Sequence, residues 1–334
     1  MGLARLMHNL PSSSLLLVLT ALAYTAWWSP PAAAHDTPIA LLTLKETQPG
    51  TFVERWTYSS SLNLAAPTPV YPEHCVVETR KAICGERGLT GDFSFEKLGE
   101  KYSAAVVRLV PLEGSRQSYT FTAAQPVVTL TASGVLPLSH VVAAYLPLGF
   151  EHIMLGVDHL LFVLGLMLLV TNRWMLVKTI TAFTIAHSIT LGLATFGVVG
   201  VPEGAVNALI ALSIVVLAVE VLKLRRGRPG WSVTYPWLVA FGFGLLHGLG
   251  FANALTGIGL SQANLPVALL FFNIGVELGQ LAFVAVVLAV AWSHRELRAE
   301  LPRWTESAAV YGTGTLATVW FYDRFGAIVA PLVA

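Results

Sequence analysis

The sequence predicts a polytopic α-helical membrane bundle preceded by a small exported, all-β, sandwich-like domain. Three observations carry that prediction. The 334 residues are 55% hydrophobic and only 12% charged, with a mean hydropathy of +0.67, which is too apolar and too charge-poor for an ordinary soluble chain of this length. Six long apolar runs, at about 145–170, 177–198, 204–223, 234–256, 265–291 and 306–323, each approach the ~20 residues that a bilayer requires. Ahead of them, residues 35–138 alternate short apolar and β-branched stretches with Gly, Pro and charge, the pattern of half-buried strands.

In chain order, residues 1–34 come first. Arg5 precedes an apolar core at 15–28, and "SPPAAAHD" then supplies small residues at Ala32 and Ala34. These are the three parts of a secretory signal, with cleavage expected after Ala34. The segment that follows is therefore expected outside the cytoplasm. Its strand-like runs are "IALLTL", "TFVERWTYSSSL", "AAVVRLV", "SYTFTA" and "PVVTLTA". The chain's two cysteines, Cys75 and Cys84, both fall here, where an oxidising compartment permits a disulfide. Closing so short a loop contributes ~2–3 kcal/mol. Residues 35–138 carry no glycine-rich phosphate loop, nucleophile elbow or metal-spaced cluster. Binding, sensing or support is the expected role, with an exported protein as the partner.

Residues 139–334 form the expected six-helix transmembrane domain, and the lipid bilayer is its partner. One set of loops carries Arg173 and Lys178, then Lys223, Arg225, Arg226 and Arg228, then Arg295, Arg298 and Arg303; the alternate loops, near "GVVGVPEG" and "GIGLSQANL", carry no Lys or Arg. The asymmetry places the basic loops in the cytoplasm. The expected location is the cell (inner) membrane, with the β domain and the C-terminus on the periplasmic or extracellular side and Asp323 and Arg324 at that interface. The formal net charge of +1 offers no case for nucleic-acid binding.

Ionisable groups inside a bilayer are costly, ~2.5–3.5 kcal/mol for a carboxylate at a helix centre, so each requires a partner or a purpose. The first run carries Glu151, His152, Asp158 and His159; the second Thr184, His187 and Ser188; the third Glu220; the fourth His247 and Asn253; the fifth Asn273, Glu277 and Gln280. Four of nine histidines lie in predicted spans. Taken singly, a membrane histidine or asparagine is more often a hydrogen bond between helices than a ligand, and Glu220 reads as an end group paired with Lys223. Asp158, His159, His187, His247 and Glu277 together point instead to a shared polar site. Geometry limits that site: His152 and His159 share one helix face but stand about 10 Å apart along a continuous helix. One small ion cannot engage both unless the helix is broken. Asn273, Glu277 and Gln280, at i, i+4 and i+7, form one polar stripe. Gly244 and Gly248 frame His247 with small residues that allow a neighbouring helix to approach.

The motifs His152-x3-Gly156-x-Asp158-His159, "TAFTIAHSITL", "FGFGLLHGLGF" and "FNIGVELGQL" resemble, in order, those of the HupE/UreJ family of hydrogenase- and urease-accessory membrane proteins. The likeness covers about 145–325 and is nearest to the branch with an extra exported N-terminal domain. It implies a nickel permease or carrier, with His152, Asp158, His159 and His247 as metal contacts. Phe243 and Gly250 stand where the short members have His and Glu. The imidazole and carboxylate set independently suits Ni, Co or Zn, and no thiolate in the spans argues for Cu(I).

The expected function is therefore a transmembrane carrier or facilitator for a divalent transition metal, the ion being cargo. His152, Asp158, His159, His187, His247 and Glu277 are its candidate ligands, and Glu151, Asn273, Gln280 and Ser188 its supporting polar groups. Two alternatives stay open at this point. One is an intramembrane zinc hydrolase with Glu277 as general base. The other is a membrane-anchored receptor or accessory protein acting through the β domain.

Overall fold

The computed structural model describes residues 39–58, 66–99, 102–114, 116–131, 137–258, 264–296 and 304–333, so the signal expected over 1–34 lies outside the described residues. The chain divides into two compact units. One comprises Asp36–Gly149 with Ala252–Gly275, the other Phe150–Phe251 with Val276–Ala334.

The strands are β1 (Ile39–Gln48), β2 (Thr51–Tyr58), β3 (Thr68–Val70), β4 (Val76–Glu78), β5 (Lys81–Ile83), β6 (Gly91–Glu96), β7 (Ala104–Val110), β8 (Gln117–Thr122) and β9 (Val127–Leu130). They form a six-stranded sheet ordered β4-β5-β2-β1-β7-β8 and a three-stranded sheet ordered β3-β6-β9. All pairings are antiparallel except β1 with β7, which run parallel from Ile39↔Ala104 to Lys45↔Val110. Leu42, Leu44, Phe52, Val107, Tyr119 and Phe121 of the larger sheet share one core with Phe93, Phe95, Val128 and Leu130 of the smaller. The alternation read in the sequence is the inward face in β6 and β9, where Phe93, Phe95, Val128 and Leu130 are buried between more exposed neighbours, whereas β7, β8 and the first half of β1 are buried along most of their length. The β1–β2 turn needs glycine at Gly50: its φ is +71°, and a Cβ there would overlap the Gly85 carbonyl. Cys75 and Cys84 are joined by a disulfide across the mouth of the β4–β5 hairpin.

The longer helices are α1 (Leu138–Leu155), α2 (Val157–Leu169), α3 (Arg173–Thr195), α4 (Glu203–Arg225), α5 (Pro236–Ile258), α6 (Leu265–Glu296) and α7 (Trp304–Val333). Of the six expected spans, the structure supports four. Among the described residues, four helices are long and apolar enough to cross a membrane: α1, α3, α4 and the Leu265–Ser293 part of α6. The first apolar run is two helices, because Gly156, at φ −77° and ψ 86°, leaves the helical region between α1 and α2. Large apolar side chains including Trp174, Ile185, Leu270, Val286 and Val319 face outward, as a lipid-facing surface requires.

Local chemistry sets several of these boundaries. The Asn172 side chain caps α3 by accepting from the backbone N–H groups of Trp174 and Met175. At the other end of α4, Glu220 pairs with Lys223 Nζ at 2.8 Å and accepts from the Ser232 hydroxyl, the end-group role expected of it. α4 and α7 pack antiparallel: Gly204 lies against Ile328 and Gly314 against Ala218, and Arg226 donates to the Tyr311 hydroxyl at 2.9 Å. α5 lies directly on α3. A Cβ at Gly244 would overlap the Phe183 carbonyl, and one at Gly248 the His187 carbonyl and the Thr190 hydroxyl, so only glycine lets the two backbones approach this closely.

Candidate metal centre

The break at Gly156 builds the centre. His152 occupies the last turn of α1 and His159 the first turn of α2. In an unbroken helix they would stand about 10 Å apart along the axis; here their ring centroids are 4.9 Å apart. His187 of α3 completes the group, and ligand nitrogens of the three histidines all lie within 4.8 Å of one another. Each side chain is buried, at 4%, 2% and 0% exposure. A tetrahedral ion with metal–nitrogen bonds of 2.0–2.1 Å requires nitrogens about 3.3 Å apart, so the trio fits a first-row divalent ion after a modest contraction. Three imidazoles are also a donor set suited to Ni, Co or Zn.

The gap at Gly156 is held by its own hydrogen bonds. Gly156 N–H donates to the His152 carbonyl at 3.0 Å, and Leu160 N–H to the Gly156 carbonyl at 3.1 Å. A Cβ on residue 156 would meet His159 Nδ1 at 2.7 Å and the His152 carbonyl oxygen at 2.8 Å. The glycine therefore makes room for an imidazole as well as ending a helix.

His247 of α5 stands beside the trio, its ring centroid 5.0 Å from that of His159. Ser213 donates its hydroxyl proton to the Ile210 carbonyl at 2.6 Å, and its oxygen lies 3.1 Å from His247 Nε2. The serine oxygen then accepts from Nε2–H, and the lone pair of the ring falls on Nδ1. Phe251 packs 4.4 Å from His152, and Phe162 and Phe183 each 5.1 Å from His247. This aromatic collar keeps the surroundings apolar, which strengthens electrostatic contacts inside it.

Asp158 is fully buried at the start of α2, where a carboxylate complements the positive end of the helix. Its Oδ1 accepts the His159 backbone N–H at 2.9 Å and lies 3.2 Å from His159 Nδ1. Its Oδ2 lies 3.8 Å from Arg324 Nη2 of α7. Arg324, expected at the outer interface, has a side chain that is 10% exposed, and α7 continues past it as an apolar helix to Val333. The apolar residues after Arg324 were the legible signal that the helix does not end there.

The remaining candidates lie elsewhere. Glu277 Oε1 accepts from the Thr181 hydroxyl at 2.7 Å, and Gln280 Oε1 from the Thr184 hydroxyl at 3.0 Å. These two rungs tie α6 to α3 and do not belong to the imidazole trio. Asn273 donates to the Leu269 carbonyl of its own helix at 2.8 Å. Ser188 likewise turns back onto its helix, donating to the Thr184 carbonyl at 2.7 Å. Glu151 is half-buried beside His152 in the chain, and the Asn253 side chain lies outside the described residues. Sequence reasoning missed Ser213 and Arg324 as partners of the site and Thr181 as the partner of Glu277.

A family model described as HupE / UreJ protein matches residues 130–324, more than half of the chain. No curated protein and no solved structure matches it.

Proposed function

The chain belongs to the HupE/UreJ family, and on that premise we propose that it is a membrane carrier or facilitator for a divalent transition metal, nickel first, with cobalt and zinc as the alternatives. The single observation that carries this reading is the convergence of His152, His159 and His187 across a broken helix. Carriers commonly bind their cargo at discontinuous helices, where helix ends and unwound backbone face the ion. The C-terminal end of α1 presents the negative pole of a helix dipole. The imidazoles replace water on the ion, and His247 and Asp158 flank the trio beside His159. Proton competition for the same nitrogens would let the ion go on the acidic side.

In this reading the basic loops face the cytoplasm, the β-rich segment is exported and holds its disulfide in an oxidising compartment, and the membrane is the cell membrane. The hydrolase alternative is less well supported: Glu277, its expected general base, accepts from Thr181 and is not grouped with the three histidines, and Ser188 donates to its own helix.

The test is titration of the purified protein in detergent with Ni²⁺, Co²⁺ and Zn²⁺, paired with uptake into proteoliposomes, for wild type and for His152→Ala, His159→Ala and His187→Ala. Selective binding and uptake lost together in all three variants is the expected outcome. Uptake unchanged in the variants would overturn the reading, and stoichiometric zinc without uptake would favour the hydrolase.

A further inference from the structure

Arg324 lies far from the motifs that mark the family, yet it reaches the buried carboxylate beside the trio. Its Nη1 donates to the Asn207 carbonyl of α4 at 2.9 Å, its guanidinium stands 5.6 Å from the Trp320 ring centroid, and its Nη2 is 3.8 Å from Asp158 Oδ2. The first two contacts hold the side chain in place from two helices. The third puts a permanent positive charge beside a carboxylate with no exposed surface. A buried carboxylate is costly unless it is paired, and guanidinium is the cation best suited to such pairing because it stays charged and is weakly hydrated. Asp158 turns its other oxygen toward His159, accepting the backbone N–H at 2.9 Å and lying 3.2 Å from Nδ1.

A carboxylate beside a ring nitrogen can set the tautomer and orientation of a metal-binding histidine, and Asp158 Oδ1 is so placed beside His159 Nδ1. The geometry points to Arg324 as a positioning residue for cation binding: it anchors the Asp158 carboxylate, which holds His159 with its proton on Nδ1 and so presents Nε2 to the metal. Asp158 acts in this scheme through His159, and the last helix becomes part of the site without touching the ion. The inference rests on the carrier reading for its purpose, but the tautomer of His159 can be read with no metal present.

The experiment compares wild type, Arg324→Lys, Arg324→Met, Asp158→Asn and the Asp158→Asn/Arg324→Met double variant, all checked for folding by size exclusion and circular dichroism in detergent. Co²⁺ is the probe, followed by its visible absorption. A second arm reads the ¹⁵N-imidazole signals of metal-free protein, with His159 assigned through His159→Gln. Arg324→Met should weaken Co²⁺ binding by about tenfold or more, as loss of such outer partners does, and should remove the Nδ1–H signature of His159. Arg324→Lys should retain most of both. In the Asp158→Asn background the further change to Met should alter affinity by less than about twofold, because a residue acting through Asp158 has nothing left to act on.

Three results would overturn the inference: wild-type binding and tautomer in Arg324→Met, a loss that adds in full to that of Asp158→Asn, or Arg324→Lys failing as severely as Met. If Arg324→Met does not fold, Arg324→Lys and the double variant still decide the matter. Wild type that binds no metal, while the His159 tautomer still answers to Arg324, would sink the carrier reading and leave the positioning role standing.

Discussion

Gly156 has two functions in one residue: it ends α1 and leaves the volume that His159 fills. Gly156→Ala would drive a methyl group to 2.7 Å from His159 Nδ1, and in a packed interior the ring must move. Metal affinity should fall by about tenfold or more, the usual size of a ligand-orienting defect, as read by Co²⁺ titration. Gly192→Ala on α3, with nothing within 4 Å of the added carbon, should bind as wild type. A second residue speaks to pH. Tyr71 donates to Glu54 Oε1 at 2.6 Å, and burial first, then that hydrogen bond and the adjacent carboxylate, push its phenol well above the usual range. The folded chain keeps a proton that the unfolded chain releases above about pH 10. Stability from this source is therefore full below that pH and falls as pH rises beyond it. Thermal melts in alkaline buffers should show a shallower decline in Tyr71→Phe than in wild type.

Among the elements, the pairing of α5 with α3 decides whether His247 stands beside His159. Both glycines of the contact lie against α3 backbone carbonyls, so the helices touch without intervening side chains. Gly248→Ala should force them apart and cost about 1–3 kcal/mol, the range for overpacking a close contact. A lowered unfolding temperature in detergent, together with weaker Co²⁺ binding, is expected; an unchanged pair of values would mean that α5 yields without moving His247. The rungs from Thr181 to Glu277 and from Thr184 to Gln280 act at the same scale. They satisfy polar groups that an apolar environment would otherwise penalise, and they leave His187 on the same helix to serve the trio.

For the whole molecule, the proposal joins an exported β-rich segment to a membrane bundle with one buried imidazole centre. Protons and a metal ion compete for the same nitrogens, so binding and uptake should both weaken as the medium is acidified. Proteoliposome uptake measured over a pH series checks this, and a rate that rises on acidification would oppose it. Much of the architecture was legible from composition and periodicity. The strand-like segment, the apolar helices, the disulfide partners and the candidate histidines all follow from residue type and spacing, because burial and hydrogen bonding impose those periods directly. The α1–α2 break was legible only as a condition, since His152 and His159 could share an ion only across an interrupted helix. An apolar run with one glycine does not reveal which backbone angles that glycine adopts.

The sequence by itself determined the class of the molecule, its family and the side chains able to hold a metal. Those properties depend on residue identity and local order. Only the tertiary structure decided which of them meet. It grouped His152, His159 and His187, left Glu277 and Gln280 to tie α6 to α3, and brought Arg324 from the last helix to Asp158. The reason is physical: which nitrogens converge depends on one backbone break and on close glycine packing between helices distant in sequence, and neither leaves a periodic trace in the chain.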